Sequence, residues 1–145
     1  MQFLEALTGR RELLVLLTLI ASCAGCGSSE PFDYIPVHGK LTYEDGSPLP
    51  AGGIVLMFVS QDAKPVNGMF PRPAAAGVNA EGVFDAATSK KHGDGLIPGK
   101  HKVALNYATD AKGKLLVPKA YTSIDATPLI VDTGDGEIEI KVPRP

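Results

Sequence analysis

The chain reads as all-β: a single antiparallel β-sandwich of Greek-key type behind an apolar leader. Three observations predict this. Apolar and polar residues alternate with the two-residue period of half-buried strands over several short stretches. Glycine and proline, 16 and 12 of the 145 residues, interrupt those stretches with turns. Beyond the leader, no segment carries the 3.6-residue period of an amphipathic helix. Six or seven short strands at irregular intervals fit one sandwich, and no 20- to 50-residue repeat points to a solenoid.

The leader comes first. Arg10 and Arg11 precede a nine-residue apolar run, Leu13–Ala21, and small residues follow it. That is the layout of a secretory signal. The run is too short to span a bilayer, which takes about 20 apolar residues as a helix. Arg10-Arg11 approaches the twin-arginine pattern. Gly9, however, stands where a polar residue belongs, and the Leu-rich core favours general secretion.

The core closes in Ile20-Ala21-Ser22-Cys23, which resembles the lipobox of bacterial lipoproteins. The resemblance implies that the Cys23 sulfur takes a diacylglycerol and that the bond before it is cut. Small side chains admit the peptidase to the backbone, and the thiol is the nucleophile that accepts the lipid. Cys26 is the alternative, although its third upstream neighbour is Cys23 rather than an aliphatic residue. The expected organisation is a signal peptide over 1–22, the lipidated cysteine and a tether over 23–35, and the sandwich over 36–145. Other readings of C-A-G-C are weaker. Zinc takes four ligands and no histidine lies close in sequence, while a redox pair needs a βαβ setting.

Within the domain, Val37, Gly39, Leu41 and Tyr43 alternate with His38, Lys40, Thr42 and Glu44. Asp45-Gly46 then turns the chain. Ile54–Val59 is continuously apolar and predicts a central strand covered on both faces. Gln61–Pro73 has no period and predicts a surface loop. Val78 and Val83-Phe84 flank Asn79-Ala80-Glu81-Gly82, a hairpin signature. Ser89–Gly95 is polar and punctuated by glycine. His101, Val103, Leu105 and Tyr107 share the core face of the next strand. Pro128 precedes the apolar Leu129–Val131. Ile138, Ile140 and Val142 alternate with Glu137, Glu139 and Lys141, as an edge strand with a charged outer face would. The domain holds no cysteine, and about 110 residues suffice for a core without a disulfide.

Three strings resemble the carboxypeptidase regulatory-like, or transthyretin-like, domains. Val37–Leu49 (VHGKLTYEDGSPL) is similar to the opening V-x-G-x-V-T-x-x-G-x-P-L of that family. Asn79–Phe84 is similar to its D-x-x-G-x-F turn, and Gly95–Val103 to its G-x-x-P-G-x-Y-x-V turn and strand, with His101 at the aromatic position. Val117–Tyr121 and Thr127–Val131 resemble the tail of planctomycete-type small lipoproteins. The resemblance implies a seven-stranded sandwich carried as a cell-envelope lipoprotein without catalytic residues. One enzyme of the transthyretin-like group, the hydroxyisourate hydrolase, ends in Tyr-Arg-Gly-Ser; this chain ends Lys141-Val142-Pro143-Arg144-Pro145, which argues against that activity.

The residues themselves offer little chemistry. None of the three histidines, His38, His92 and His101, has a second at ligand spacing, so no metal or other cofactor is expected. Asp132, Asp135 and Glu137 read as an ordinary hairpin turn at Gly134-Asp135-Gly136 rather than a calcium loop, because the twelve-residue pattern is missing. No serine sits in a nucleophile elbow, which leaves a hydrolase without a site. A net charge of −2 gives no footprint for nucleic acid. The expected role is non-enzymatic, structural or in protein contacts, with the membrane as partner through covalent lipid and envelope proteins or polysaccharide as further partners. The alternative is a binding module for a small ligand or carbohydrate. Its candidate residues are Phe70 and Arg72 in the Gln61–Pro73 loop and Lys90, Lys91 and His92 in the next.

Overall fold

Period-two alternation sets which side chains turn inward. In β1 (Gly39–Tyr43), Leu41 and Tyr43 are buried while Lys40 is exposed. In β7 (Ile138–Val142), Ile138, Ile140 and Val142 are buried while Glu139 and Lys141 face water. In β5 (Lys100–Asn106), His101, Val103 and Leu105 point into the core. The remaining strands are β2 (Val55–Ser60), β3 (Ala74–Gly77), β4 (Val83–Phe84) and β6 (Ile130–Asp132). The computed structural model describes residues 30–145, of which Pro31–Pro145 form one compact unit.

The fold is all-β, with two sheets of three and four strands ordered β4-β1-β7 and β3-β2-β5-β6. Among the described residues, helical backbone is limited to two 3-10 turns, Lys119–Thr122 and Thr133–Asp135. One apolar cluster draws on both sheets. At its centre Phe58 of β2 meets Phe84 of β4, both fully buried, with ring centroids 6.0 Å apart and planes tilted by 52°. Burying one such ring contributes about 1.5–3 kcal/mol, so these contacts hold the sheets against each other.

Four expectations are corrected. Every strand pairing is antiparallel except one: β1 and β7 run parallel, Gly39 opposite Ile138 through Tyr43 opposite Val142. Parallel neighbours need a long crossover, and here the rest of the domain supplies it. Secondly, β2 is central in its sheet but covered on one face only: Leu56 and Phe58 are buried, whereas Val55, Met57 and Val59 are half-buried. Thirdly, Asn79–Gly82 forms a tight turn, yet the strands beside it do not pair. Instead β3 joins β2 and β4 joins β1, so the turn passes the chain between sheets. Lastly, Tyr107 leaves the inward row of β5. Its φ of 59° ends the strand and turns the ring out, 75% exposed.

Candidate functional site

Strand register gathers the candidate loops at one end of the domain. β2 ends at Ser60, opposite His101 near the start of β5, and Lys100 lies opposite Asp132 at the end of β6. In the other sheet, β1 and β7 begin side by side at Gly39 and Ile138, and β4 ends beside them at Phe84. Gly99 and Thr133 join the two groups: the Thr133 amide donates to the Gly99 carbonyl (3.1 Å), and the Gly99 amide to Thr133 Oγ1 (2.8 Å). Segments 30–38, 61–73, 85–99 and 133–137 therefore share one pole.

The loop over 61–73 is more ordered than its lack of period implied. At its base the Gln61 amide donates to the Lys100 carbonyl, and the Lys100 amide donates to Asp62 Oδ2, both at 2.8 Å. At its tip Val66 and Met69 exchange two backbone hydrogen bonds, of 3.0 and 2.9 Å. Between them Asn67 and Gly68 both have positive φ, 51° and 77°. Two central residues of positive φ define a type I′ hairpin turn, for which Asn-Gly is the favoured pair. The turn presents Val66 (39% exposed), Met69 (40%) and Phe70 (75%) to solvent. Phe70 and Arg72, singled out from the sequence, both lie exposed on this loop; Val66 and Met69 were missed. The signal that finds them is the Asn67-Gly68 pair between two apolar residues.

The second loop is wound around a carboxylate. Asp94 Oδ1 accepts from the Ser89 amide (2.8 Å), and Oδ2 accepts from the amides of Lys90 (3.0 Å) and Lys91 (2.8 Å). Partial burial alone would raise the Asp94 pKa, but the Lys91, Ser89 and Lys90 amides outweigh it and hold the carboxyl below the usual range. Around this acid the backbone makes a knuckle with Lys90, Lys91 and His92 exposed at its surface. A two-bond bridge between Ala75 and Thr88 ties the start of the knuckle to the end of the 61–73 loop. The structure thus brings the two sets of predicted residues to neighbouring loops.

The chain reaches the domain beside the same knuckle. The Ile35 amide donates to the Leu96 carbonyl (2.8 Å) and the Leu96 amide returns the bond to Ile35 (3.0 Å). The neighbouring Gly95 has φ 99°, and a Cβ there would sit 1.8 Å from the Ile35 carbonyl oxygen. Only glycine lets the two backbones approach this closely. Cys23 and Cys26 lie outside the described residues.

The other candidates lie outside these two loops. His38 is exposed, whereas His101 is only 2% exposed, with Nδ1 3.2 Å from the Gly99 carbonyl. Burial depresses the His101 pKa, although Gly99, Asp62 and Asp132 oppose the shift. Asp132, Asp135 and Glu137 lie on a turn, with Asp132 Oδ1 accepting from the Gly134 amide at 3.0 Å, but it is a 3-10 turn that passes the chain from β6 to β7 in the other sheet and not a hairpin. Among the described residues, no group of three or more His, Cys, Asp or Glu side chains is arranged to hold a metal ion. At the opposite pole, Arg144 Nη2 donates to Asp45 Oδ2 (2.9 Å) and Ser47 Oγ (3.0 Å), and its guanidinium lies 4.1 Å from the Tyr43 ring centroid. These groups border a depression of about 270 Å³, and they bond to one another across it. A second depression, of about 380 Å³, is lined by Pro50–Gly52 and Thr109–Ala111. Comparison with family models, curated proteins and solved structures returns no match.

Proposed function

We propose that the chain is a non-enzymatic cell-envelope lipoprotein, exported and held by lipid on the Cys23 sulfur, or on Cys26 as the alternative. Its domain faces the periplasm or the exterior and acts in envelope structure or protein contacts. The observation that carries this reading is the succession of Arg10-Arg11, the apolar Leu13–Ala21 and the Ile20-Ala21-Ser22-Cys23 string. The finer architecture belongs to the same reading: a seven-stranded Greek-key sandwich of the carboxypeptidase regulatory-like, transthyretin-like kind. Support for it comes from the three motif strings, the two-sheet order and the turn that carries the chain from β3 to β4.

Metabolic labelling with palmitate tests the anchor. The wild-type chain is expected to incorporate label, and Cys23→Ala to lose both label and processing. Label that survives in Cys23→Ala and vanishes in Cys26→Ala moves the lipid to Cys26; label in none of the chains ends the proposal. The alternative reading, a binding module for a small ligand or carbohydrate, draws on the exposed Phe70 ring beside the Lys90–His92 knuckle. A glycan array or ligand thermal-shift screen that stays silent refutes it.

A further inference from the structure

We infer that the Val66–Phe70 hairpin tip is a second membrane contact, resting in the headgroup region of the bilayer that holds the lipidated N-terminus. The inference rests on the lipoprotein reading and adds an orientation and a contact surface to it. Three independent features converge on it.

The first is the tip itself. Its three large apolar side chains stand clear of the core on a turn whose flanking backbone groups bond to each other. The N–H and C=O of Val66 and Met69 are already paired across the hairpin. Moving them toward hydrocarbon leaves no amide of that rung unsatisfied, which is the usual barrier to putting loops there. The apolar Phe70 ring at such a tip suits the headgroup boundary, where apolar faces lie shallowly.

The second is charge. Lys64 lies two residues before the tip, and Lys91 is exposed on the neighbouring knuckle. Lysine stems can lie along an apolar surface while the ammonium groups stay at the phosphate level. The same part of the pole also holds acids: the exposed Asp62, which accepts the Lys100 amide, Asp94, which accepts three amides of the knuckle, and the exposed Asp85 just after β4. The acidic turn with Asp135 and Glu137 lies between β6 and β7, at the sheet edges opposite those of β3 and β4. The apolar tip is therefore flanked by charges of both signs, and its lysines are the groups that can meet lipid phosphates.

The third is reach. Cys23 precedes Ile35 by twelve residues, so fully extended chain covers at most about 40 Å between them. Ile35 is clasped to Leu96 at this same pole. A chain acylated at Cys23 keeps this pole within that distance of the bilayer, and a concentrated local surface favours even a weak contact.

The test uses the full processed chain purified with its lipid and placed in vesicles of phosphatidylcholine and phosphatidylglycerol. A Cys26→Ser background removes the competing thiol, and an environment-sensitive fluorophore is attached at Met69→Cys or, as control, at Ala111→Cys in the other pole. The label at position 69 is expected to shift to the blue and to be quenched several-fold more strongly by shallow nitroxide lipids than the label at 111. Phe70→Ser with Val66→Ser should reduce that quenching to the control level. Flotation is read on the same samples. A chain that does not float has lost the anchor and overturns the lipoprotein reading. A chain that floats with position 69 unquenched overturns the membrane contact alone. A blue shift without lipid quenching also overturns it, because a protein partner or second copy then covers the tip.

Discussion

Gly95→Ala is the sharpest probe of how the chain joins the domain. The new methyl carbon would stand 1.8 Å from the Ile35 carbonyl oxygen, on a backbone whose φ is 99°. That φ costs a non-glycine residue about 1–3 kcal/mol, and the overlap adds a repulsion that only movement relieves. Opening the Ile35–Leu96 clasp removes the overlap at the expense of two backbone hydrogen bonds, about 0.5–1.5 kcal/mol each. The domain as a whole holds about 5–15 kcal/mol. Local opening is therefore the cheaper response. The variant is expected to stay folded, with its urea midpoint lowered by an amount equivalent to about 2–6 kcal/mol.

Hydrogen exchange separates this from a general loss of stability. The Ile35 and Leu96 amides, which donate across the clasp, should exchange much faster in Gly95→Ala, while the β5 amides keep their protection. Gly113→Ala serves as control, because Gly113 has φ 79° with nothing within 4 Å of the added carbon. It carries the backbone strain without the clash and should leave the clasp closed. Wild-type protection at Ile35 and Leu96, together with an unchanged midpoint in Gly95→Ala, would refute the reasoning.

Three further outcomes are expected. Burial holds the His101 pKa below the ordinary 6.5, so the unfolded chain binds the proton more readily. Stability should be full above about pH 6.5 and fall as the pH drops below it, whereas His101→Gln should flatten urea midpoints between pH 6.5 and 5. Asp94 has its own lowered value, from an ordinary 3.8, and acts in a more acidic range, so the two effects separate. Phe58→Ala and Phe84→Ala should each cost about 3–5 kcal/mol, and the double variant should cost less than the sum in a urea-denaturation cycle, because each ring packs on the other. Asp94→Ala should release the amides of Ser89, Lys90 and Lys91 to fast exchange while the core strands stay protected, read by exchange mass spectrometry.

The inward rows of β1, β5 and β7 were legible in the sequence because a period of two reports which side chains face the core. It does not report which strand lies alongside. The parallel pairing of Gly39–Tyr43 with Ile138–Val142 joins residues about a hundred positions apart, and no local pattern encodes it. Turn chemistry has the same limit. Asn79 Oδ1 accepts from the amides of Glu81 and Val83, as the motif promised, but a turn sets direction and not partners. Tyr107 kept the inward phase until its positive φ ended the strand. The Asn67-Gly68 hairpin was masked by Pro65, Pro71 and Pro73, which break the alternation expected on either side of a turn.

Net charge concealed the pole for a related reason. A sum of −2 counts every carboxylate alike, whatever its partners and position. In the folded domain several aspartates are committed to backbone amides. Asp62 accepts from Lys100, Asp94 from three residues, Asp110 from Lys112 and Lys114, and Asp132 from Gly134. Loops rich in glycine and proline, without disulfides, need such bonds to hold one shape. Those acids stay ionised, because amide donors favour the charged form, so lysines such as Lys64 and Lys91 share the pole with the carboxylates that shape its loops. The same aspartates that order the loops therefore also fix where negative charge sits at the pole, and neither effect is visible in a count of residues.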